Sequence, residues 1–162
     1  MTFTIRDACA EDLDAVLQLN EDVVPAVNSV PLSQMQWFLE HSAYFRLAEG
    51  DGSLAAFLVG LRPGTDYNSV NYRYFCENYA DFGYVDRIAV SNRVRRSGLA
   101  STLYDDFRAS LPEEVSLMTC EVNLRPPNEG SMHFHQRLGF RQVAEQESEG
   151  GTKTVALLVR QL

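Results

Sequence analysis

One stretch of the chain constrains its fold more than any other: an apolar segment, an arginine-rich turn and an amphipathic helix in succession. Residues 84–90 read Tyr-Val-Asp-Arg-Ile-Ala-Val, which is typical of a buried strand. Four apolar residues then recur on one helix face: Leu99, Leu103, Phe107 and Leu111. A helix start leaves backbone N–H groups without partners and carries partial positive charge, so this unit predicts a site for a phosphate group.

The turn itself narrows the kind of phosphate ligand. It contains neither Gly-x-x-x-x-Gly-Lys-Ser/Thr nor Gly-x-Gly-x-x-Gly, so a nucleotide P-loop and a dinucleotide fingerprint are both excluded. What remains is Arg95-x-x-Gly98-x-Ala100, with Arg93 and Arg96 beside it. This pattern resembles the pyrophosphate loop of the GCN5-related N-acetyltransferases, Arg/Gln-x-x-Gly-x-Gly/Ala, which binds coenzyme A.

A second motif of the same family follows in the expected order. The family pattern Asn-x-x-Ala-x-x-Phe-Tyr-x-x-x-Gly-Phe is matched in register by Asn128, Ser131, Phe134, Gly139 and Phe140. The chain is therefore identified as a small, bacterial-type member of the GCN5-related N-acetyltransferase (GNAT) superfamily. The resemblance implies an α/β (α+β) fold with a mixed central sheet of six to seven strands and about four flanking helices, in one domain over residues 1–162.

The composition of the chain limits which partners and which cellular compartment we expect. A formal net charge of −8 argues against nucleic-acid binding, since the phosphate backbone must be met by excess Lys and Arg. No apolar run approaches the roughly 18 residues of a membrane helix, and the first ten residues lack a secretory leader, so we expect a cytoplasmic protein without a membrane partner. Three cysteines have neither a metal spacing nor an even disulfide framework, and we expect no metal: Cys9, Cys76 and Cys120.

The resemblance implies acetyl-CoA as co-substrate and assigns its contacts. In this family the backbone of the strand pairs with the pantetheine arm near positions matching residues 88–90, and the turn binds the diphosphate. The implied cofactor-binding residues are Ile88, Ala89, Val90, Arg95, Arg96, Ser97, Gly98, Leu99, Ala100, Ser101, Asn128 and Phe134.

Two residues of the strand are candidates for the acyl centre. Side chains alternate along a strand, so Tyr84 and Asp86 share one face and Arg87 lies on the other. Positions matching Tyr84 and Asp86 can face the acyl centre in this family, where several members carry a Glu or His base. Because the first position is Tyr here, Asp86 is the better candidate base, acting through a water molecule. The alternative for Asp86 is an ion pair with a nearby arginine.

His135 stands where the family often has a tyrosine that protonates the departing thiolate. Imidazole has an unperturbed pKa of about 6.5 and is able to donate a proton near neutrality. The proton-donor role therefore either survives in His135 or passes to water.

Two further segments are candidates for acceptor contacts. Residues 62–82 show no clean period and predict a long loop, rich in tyrosine and asparagine, that serves as an acceptor lid or a dimer contact. Residues 21–31 are broken by two prolines and predict a loop between two helices. In the family this second loop borders the acceptor pocket, which makes candidates of Glu21, Asp22 and Asn28.

Together these features predict an acetyl-CoA-dependent N-acetyltransferase that moves an acetyl group to a primary amine by direct attack. The amine belongs to a small molecule or to a protein, and the family often forms homodimers. The alternative is a non-catalytic acyl-CoA-binding or regulatory module of the same fold, because Tyr84 and His135 both depart from the family pattern.

Overall fold

The computed structural model describes residues 2–162, which form two compact units. The first unit comprises the chain up to Leu61 together with Arg87–Ser110, and the second comprises Arg62–Asp86 together with Leu111–Leu162. One strand, Gly83–Val90, contributes its first half to the second unit and its second half to the first.

Among the residues described there are five α-helices and seven strands. The helices are α1 (Leu13–Asp22), α2 (Leu32–His41), α3 (Val70–Asn78), α4 (Leu99–Ser110) and α5 (Glu129–Arg137). The strands are β1 (Thr4–Asp7), β2 (Tyr44–Gly50), β3 (Ser53–Leu61), β4 (Gly83–Val90), β5 (Leu117–Arg125), β6 (Arg141–Ser148) and β7 (Lys153–Gln161). Hydrogen bonding orders them β1-β2-β3-β4-β5-β7-β6 in a mixed sheet. This confirms the predicted fold class, with one helix more than expected.

In the first unit, helices cover a small antiparallel arrangement of strands. β1 pairs with β2 and β2 with β3, and the β2–β3 turn places Asp51 and Gly52 at φ 53° and 74°, as its Gly-Asp-Gly sequence predicts. Helix α4 packs on β2 and β3 through Phe107, which is completely buried. The ring of Phe107 occupies the space that a side chain at position 60 would need, so Gly60 is required for this contact.

In the second unit, β5 links a parallel and an antiparallel pairing. Tyr84 of β4 lies opposite Thr119 of β5 in a parallel register, and β5 then pairs antiparallel with β7. The chain returns from β6 to β7 through Glu149–Gly151, where all three residues have positive φ. Adjacent glycines between two strand-like segments predict a hairpin turn here, and the pairing of β6 with β7 around Gly150 and Gly151 agrees with it.

Residues 62–82 differ from the long loop that the sequence predicts, because they contain α3. Ser69 caps this helix: its side chain accepts a hydrogen bond from the backbone N–H of Tyr72. Tyr72 and Phe75 form its buried side, three residues apart. A bidentate ion pair between Arg62 and Asp81, at 2.8 Å, joins the two ends of the segment.

We expect Gly60→Ala to lower the free energy of unfolding by about 1–3 kcal/mol, the usual cost of overpacking a core. The added Cβ would lie 2.5 Å from the tip of the Phe107 ring. Urea unfolding measures the change. Gly130→Ala in α5 is the matched control, because nothing lies within 4 Å of its added Cβ and alanine favours helix. Equal stabilities of Gly60→Ala and the wild type would contradict this account of the α4 packing.

Candidate functional site

The segment after β4 has the strand–turn–helix geometry that the sequence predicts. The backbone N–H of Ser91 donates to the Ala55 carbonyl at 2.8 Å, which fixes the end of the strand against β3. The chain then turns through Arg96 and Gly98, at φ 64° and 79°, and α4 begins at Leu99. A side chain at position 98 would meet nothing within 4 Å, so glycine is favoured there for its backbone conformation alone.

This turn presents positive charge to solvent. Arg95 and Arg96 are exposed, and neither forms a hydrogen bond or ion pair with another residue in the range 2–162. Arg93 differs, since it donates to the Ser53 hydroxyl at 3.2 Å and is tied to the β2–β3 hairpin. The first backbone N–H groups of α4 have no acceptor within the helix and add partial positive charge. The turn is thus suited to an anionic group with several oxygens.

The predicted cofactor-binding residues fall in both units. Residues 88–90 and 95–101 are continuous with the turn in the first unit, where Ile88 and Val90 are half-buried and Ala89 is buried. Asn128 and Phe134 lie in the second unit, on the helix α5 segment. Asn128 caps α5 by accepting a hydrogen bond from the backbone N–H of Ser131 at 3.2 Å. Contact of these residues with coenzyme A stays a prediction.

Tyr84 is completely buried and points at a carboxylate on the neighbouring strand. Its hydroxyl lies 2.7 Å from Oε2 and 2.9 Å from Oε1 of Glu121, and it donates to this carboxylate. The rings of Tyr72 and Phe75 in α3 pack against it, with centroids 5.6 and 5.7 Å away. Burial, followed by the negative charges of Glu121 and Asp86, raises the pKa of Tyr84 well above its ordinary value. Tyr84 is therefore a neutral hydrogen-bond donor.

Glu121 is a candidate that the sequence analysis did not select. The parallel register pairs Tyr84 with Thr119, and Glu121 lies two residues further along β5, hence on the same face of the strand as Thr119. A signal was present in the sequence, because Glu121 is an acid inside an apolar strand, as Asp86 is. The register that brings it to Tyr84 is visible only in the structure.

Asp86 completes a small acidic cluster around the Tyr84 hydroxyl. Its side chain is half-buried, and its charge contributes to the raised pKa of Tyr84. The structure thus brings together two of the predicted catalytic residues, Tyr84 and Asp86, and adds Glu121 to them. Two carboxylates close to one buried phenol favour the approach of a cationic group and are able to accept a proton from it.

His135 is buried on α5 in a mostly aromatic environment. Its Nδ1 lies 2.7 Å from the Ser131 carbonyl oxygen, and since a carbonyl only accepts, Nδ1 carries the proton. The rings of Phe134 and Phe140 meet it edge-on, with centroids 5.1 and 5.4 Å away. Burial lowers the pKa of His135, against the opposing effect of the Ser131 carbonyl. The neutral imidazole is therefore favoured at neutral pH.

Comparison with known proteins establishes the class to which this fold and turn belong. Residues 13–140 match the model of the acetyltransferase (GNAT) family, and the match includes parts of both units. The chain belongs to this family. The match confirms the family, the fold class and the enzyme class, an N-acetyltransferase, that the two motifs predict.

Individual relatives agree with this assignment. An N-alpha-acetyltransferase of Saccharolobus solfataricus is 23% identical over 141 residues, which cover 87% of this chain and 81% of the relative. The crystal structure of Ard1 from Thermoplasma volcanium superposes with a TM-score of 0.78 at 18% identity, covering 100% of this chain and 99% of Ard1. Arabidopsis thaliana NAA60, solved in complex with a bisubstrate analogue, has a TM-score of 0.78 at 16% identity, with 99% and 98% covered. At these identities the solved structures show a common fold.

The remaining features of the chain concern membranes, metals and thiols. Within residues 2–162 no helix has the length and apolar character needed to span a bilayer. The same residues contain no cluster of three or more His, Cys, Asp or Glu side chains placed to hold a metal ion. All three cysteines are thiols: Cys9 and Cys76 are exposed and Cys120 is buried.

The lowered pKa of His135 predicts a pH dependence of stability. The imidazole of His135 binds a proton more tightly in the unfolded chain than in the folded protein. The free energy of unfolding is therefore not reduced by this residue above about pH 6.5, and it falls as the pH drops below that value. We expect His135→Asn to lose less unfolding free energy than the wild type between about pH 7.5 and pH 5.5. Urea unfolding at both pH values measures this difference.

His133→Asn is the control, because His133 lies exposed on the same helix. The assignment of a buried neutral imidazole would be contradicted if the free energy of unfolding showed the same pH dependence in the wild type and in both variants.

Proposed function

We propose that this protein is an acetyl-CoA-dependent N-acetyltransferase that transfers acetyl to a primary amine by direct attack on the thioester. The observation that carries the proposal is the turn between β4 and α4, in which Arg95 and Arg96 are exposed beside Gly98 and an open helix start. Its geometry suits a diphosphate, and the family match extends over it.

Acetyl-CoA would supply the activated acetyl group, and the residues of the turn would hold its diphosphate. In this proposal the backbone N–H groups of residues 98–101 and the guanidinium groups of Arg95 and Arg96 bind the phosphate oxygens. The backbone of residues 88–90 binds the pantetheine arm. Asn128 and Phe134 remain proposed cofactor contacts on the basis of the family motif.

The amine must lose a proton before it attacks. An amine with a lysine-like pKa of about 10.4 is protonated at neutral pH, so the enzyme needs a proton acceptor near it. We assign that role to Asp86. Glu121, oriented by the Tyr84 hydroxyl, adds a second negative charge that favours the ammonium form on arrival.

Either His135 or water donates the proton to the coenzyme A thiolate in this proposal. Donation from this residue requires an imidazolium, and burial lowers its pKa. The one proton of the neutral ring is held at Nδ1 by the Ser131 carbonyl. Both facts favour the alternative in which water protonates the thiolate, and the kcat of His135→Phe separates the two.

The acceptor is proposed to carry a primary amine on a peptide or a small molecule. The named N-alpha-acetyltransferase among the relatives supports a peptide α-amine. The proposed border of the acceptor site is the last turn of α1, which extends two residues into the predicted loop and carries Glu21 and Asp22, together with Asn28 in the segment that follows. A homodimer and a cytoplasmic location are part of the proposal on the basis of the family resemblance and the composition.

Arg95→Ala and Arg96→Ala should each weaken acetyl-CoA binding about tenfold or more, since a hydrogen bond to a charged group contributes about 1.5–3 kcal/mol. Gly98→Ala should weaken it as well, because φ 79° strains any residue with a Cβ. Isothermal titration calorimetry with acetyl-CoA measures the dissociation constants. Arg108→Ala, exposed at the other end of α4, is the control. Unchanged affinity in both arginine variants would remove the turn from the binding site.

Asp86→Asn should lower kcat by about 10² to 10⁴, the usual contribution of a general base, with acetyl-CoA affinity retained. Release of free thiol from acetyl-CoA, with a panel of spermidine, amino-acid amides and short peptides as acceptors, measures kcat. Glu121→Gln and Tyr84→Phe are measured beside it. A larger loss in Glu121→Gln than in Asp86→Asn would transfer the base role to Glu121, and no loss in either would remove both carboxylates from the mechanism.

A further inference from the structure

Arg87 is a buried cation whose guanidinium group contacts the segment between α1 and α2. Only 4% of its surface is exposed, although arginine is a charged residue and β4 is mostly apolar. Its Nη2 donates to Oδ1 of Asn28 at 2.7 Å, and its Nη1 donates to the Asn28 carbonyl oxygen at 3.2 Å. One guanidinium thus binds both the side chain and the backbone of a single loop residue.

Asn20, at the buried side of α1, completes this arrangement. It is fully buried, its Oδ1 accepts a hydrogen bond from Arg87 Nη1 at 2.9 Å, and its Nδ2 donates to the Asn28 carbonyl oxygen at 3.0 Å. The face of the Phe38 ring in α2 lies 5.4 Å from the Arg87 guanidinium carbon. The group of Arg87, Asn20 and Asn28 is called the Arg87 clamp below.

Apolar burial does not hold the same segment in place to a comparable extent. None of the apolar residues in 23–31 is fully buried: Val23, Val27 and Val30 are half-buried, and Val24 is 40% exposed. Leu32, at the start of α2, is 38% exposed. The other polar side chain in the loop, Ser29, donates to Glu21. The conformation of residues 23–31 therefore depends strongly on the Arg87 clamp.

Arginine is specifically suited to this position. Its planar guanidinium presents several N–H donors in fixed directions, which is how two of its nitrogens reach three oxygens here. A lysine ammonium would keep the charge without this fork. A buried charge is tolerated only when such acceptors are in place, so disturbing Asn28 also disturbs Arg87.

We propose that Arg87 is a positioning residue that fixes residues 23–31 and thereby sets the affinity for the amine acceptor. This inference rests on the proposed function, in which these residues border the acceptor site. Side chains alternate along β4, so Arg87 points to the opposite face from Asp86 and takes no part in the proton transfer assigned to Asp86. The Arg87 clamp affects the position and affinity of the acceptor and leaves the affinity for acetyl-CoA unchanged.

The test is a steady-state analysis of Arg87→Lys and Asn28→Ala with the best acceptor of the panel. We expect the acceptor KM to rise about tenfold in each, the effect of losing one charge-assisted hydrogen bond, while the KM for acetyl-CoA stays within twofold. The double variant should be no worse than the poorer single variant, because the Oδ1 contact that Asn28→Ala removes is one of those that Arg87→Lys breaks. Hydrogen–deuterium exchange should become faster in residues 23–31 of both variants.

Arg46→Lys is the matched control, since Arg46 is a strand arginine in the same unit that binds Asp7 and Asp106. It should leave the acceptor KM unchanged. Asn28→Ala, at a half-buried loop position, gives a folded variant if Arg87→Lys does not fold. An unchanged acceptor KM in Asn28→Ala, with normal wild-type turnover, overturns the positioning role alone. Absence of turnover by the wild type on every acceptor overturns the proposed function and this inference with it.

Discussion

The alternation of side chains along β4 is the constraint on which the rest of this structure depends. A strand buried on both faces is normally apolar, yet β4 carries a phenol, a carboxylate and a guanidinium within four residues. Each polar group must find a partner on its own side. Tyr84 finds Glu121 of β5, and Arg87 finds Asn20 and Asn28. The polar side chains of β4 are thus matched by hydrogen-bonding residues in the neighbouring elements.

The Tyr84–Glu121 pair offers a physical reason for the departure from the family pattern at position 84. Several family members place a carboxylate or imidazole base at this position of the strand. Here a phenol occupies it and donates a hydrogen bond to a carboxylate of the next strand, while the proposed base is Asp86, two residues further along β4. Burial and nearby negative charge keep the phenol neutral, so in the proposed reaction it would orient Glu121 without accepting a proton itself. A carboxylate therefore lies beside position 84 although the residue at that position is not an acid.

The sequence was sufficient for features that depend on local patterns. Apolar runs, the Asp51–Gly52 turn and the start of α4 after Gly98 were all predictable, because periodicity and glycine conformation determine them locally. Helix α3 is not predictable in this way. Its buried apolar side chains are only Tyr72 and Phe75, within a polar segment, and two such positions are too few to reveal a helical periodicity. Glu121 was not selected because its role depends on the register between β4 and β5, which is a long-range property.

Polar anchoring of residues 23–31 has a consequence that apolar anchoring would not have. A loop held by complete burial of its own valines would have less apolar surface left to offer a ligand. Here directional hydrogen bonds to Asn28 hold the backbone, and Val24 and Leu32 remain exposed on either side of it. Hydrogen bonds fix geometry, whereas apolar contact is largely non-directional. The arrangement therefore combines a defined loop conformation with apolar surface that is still available for contact.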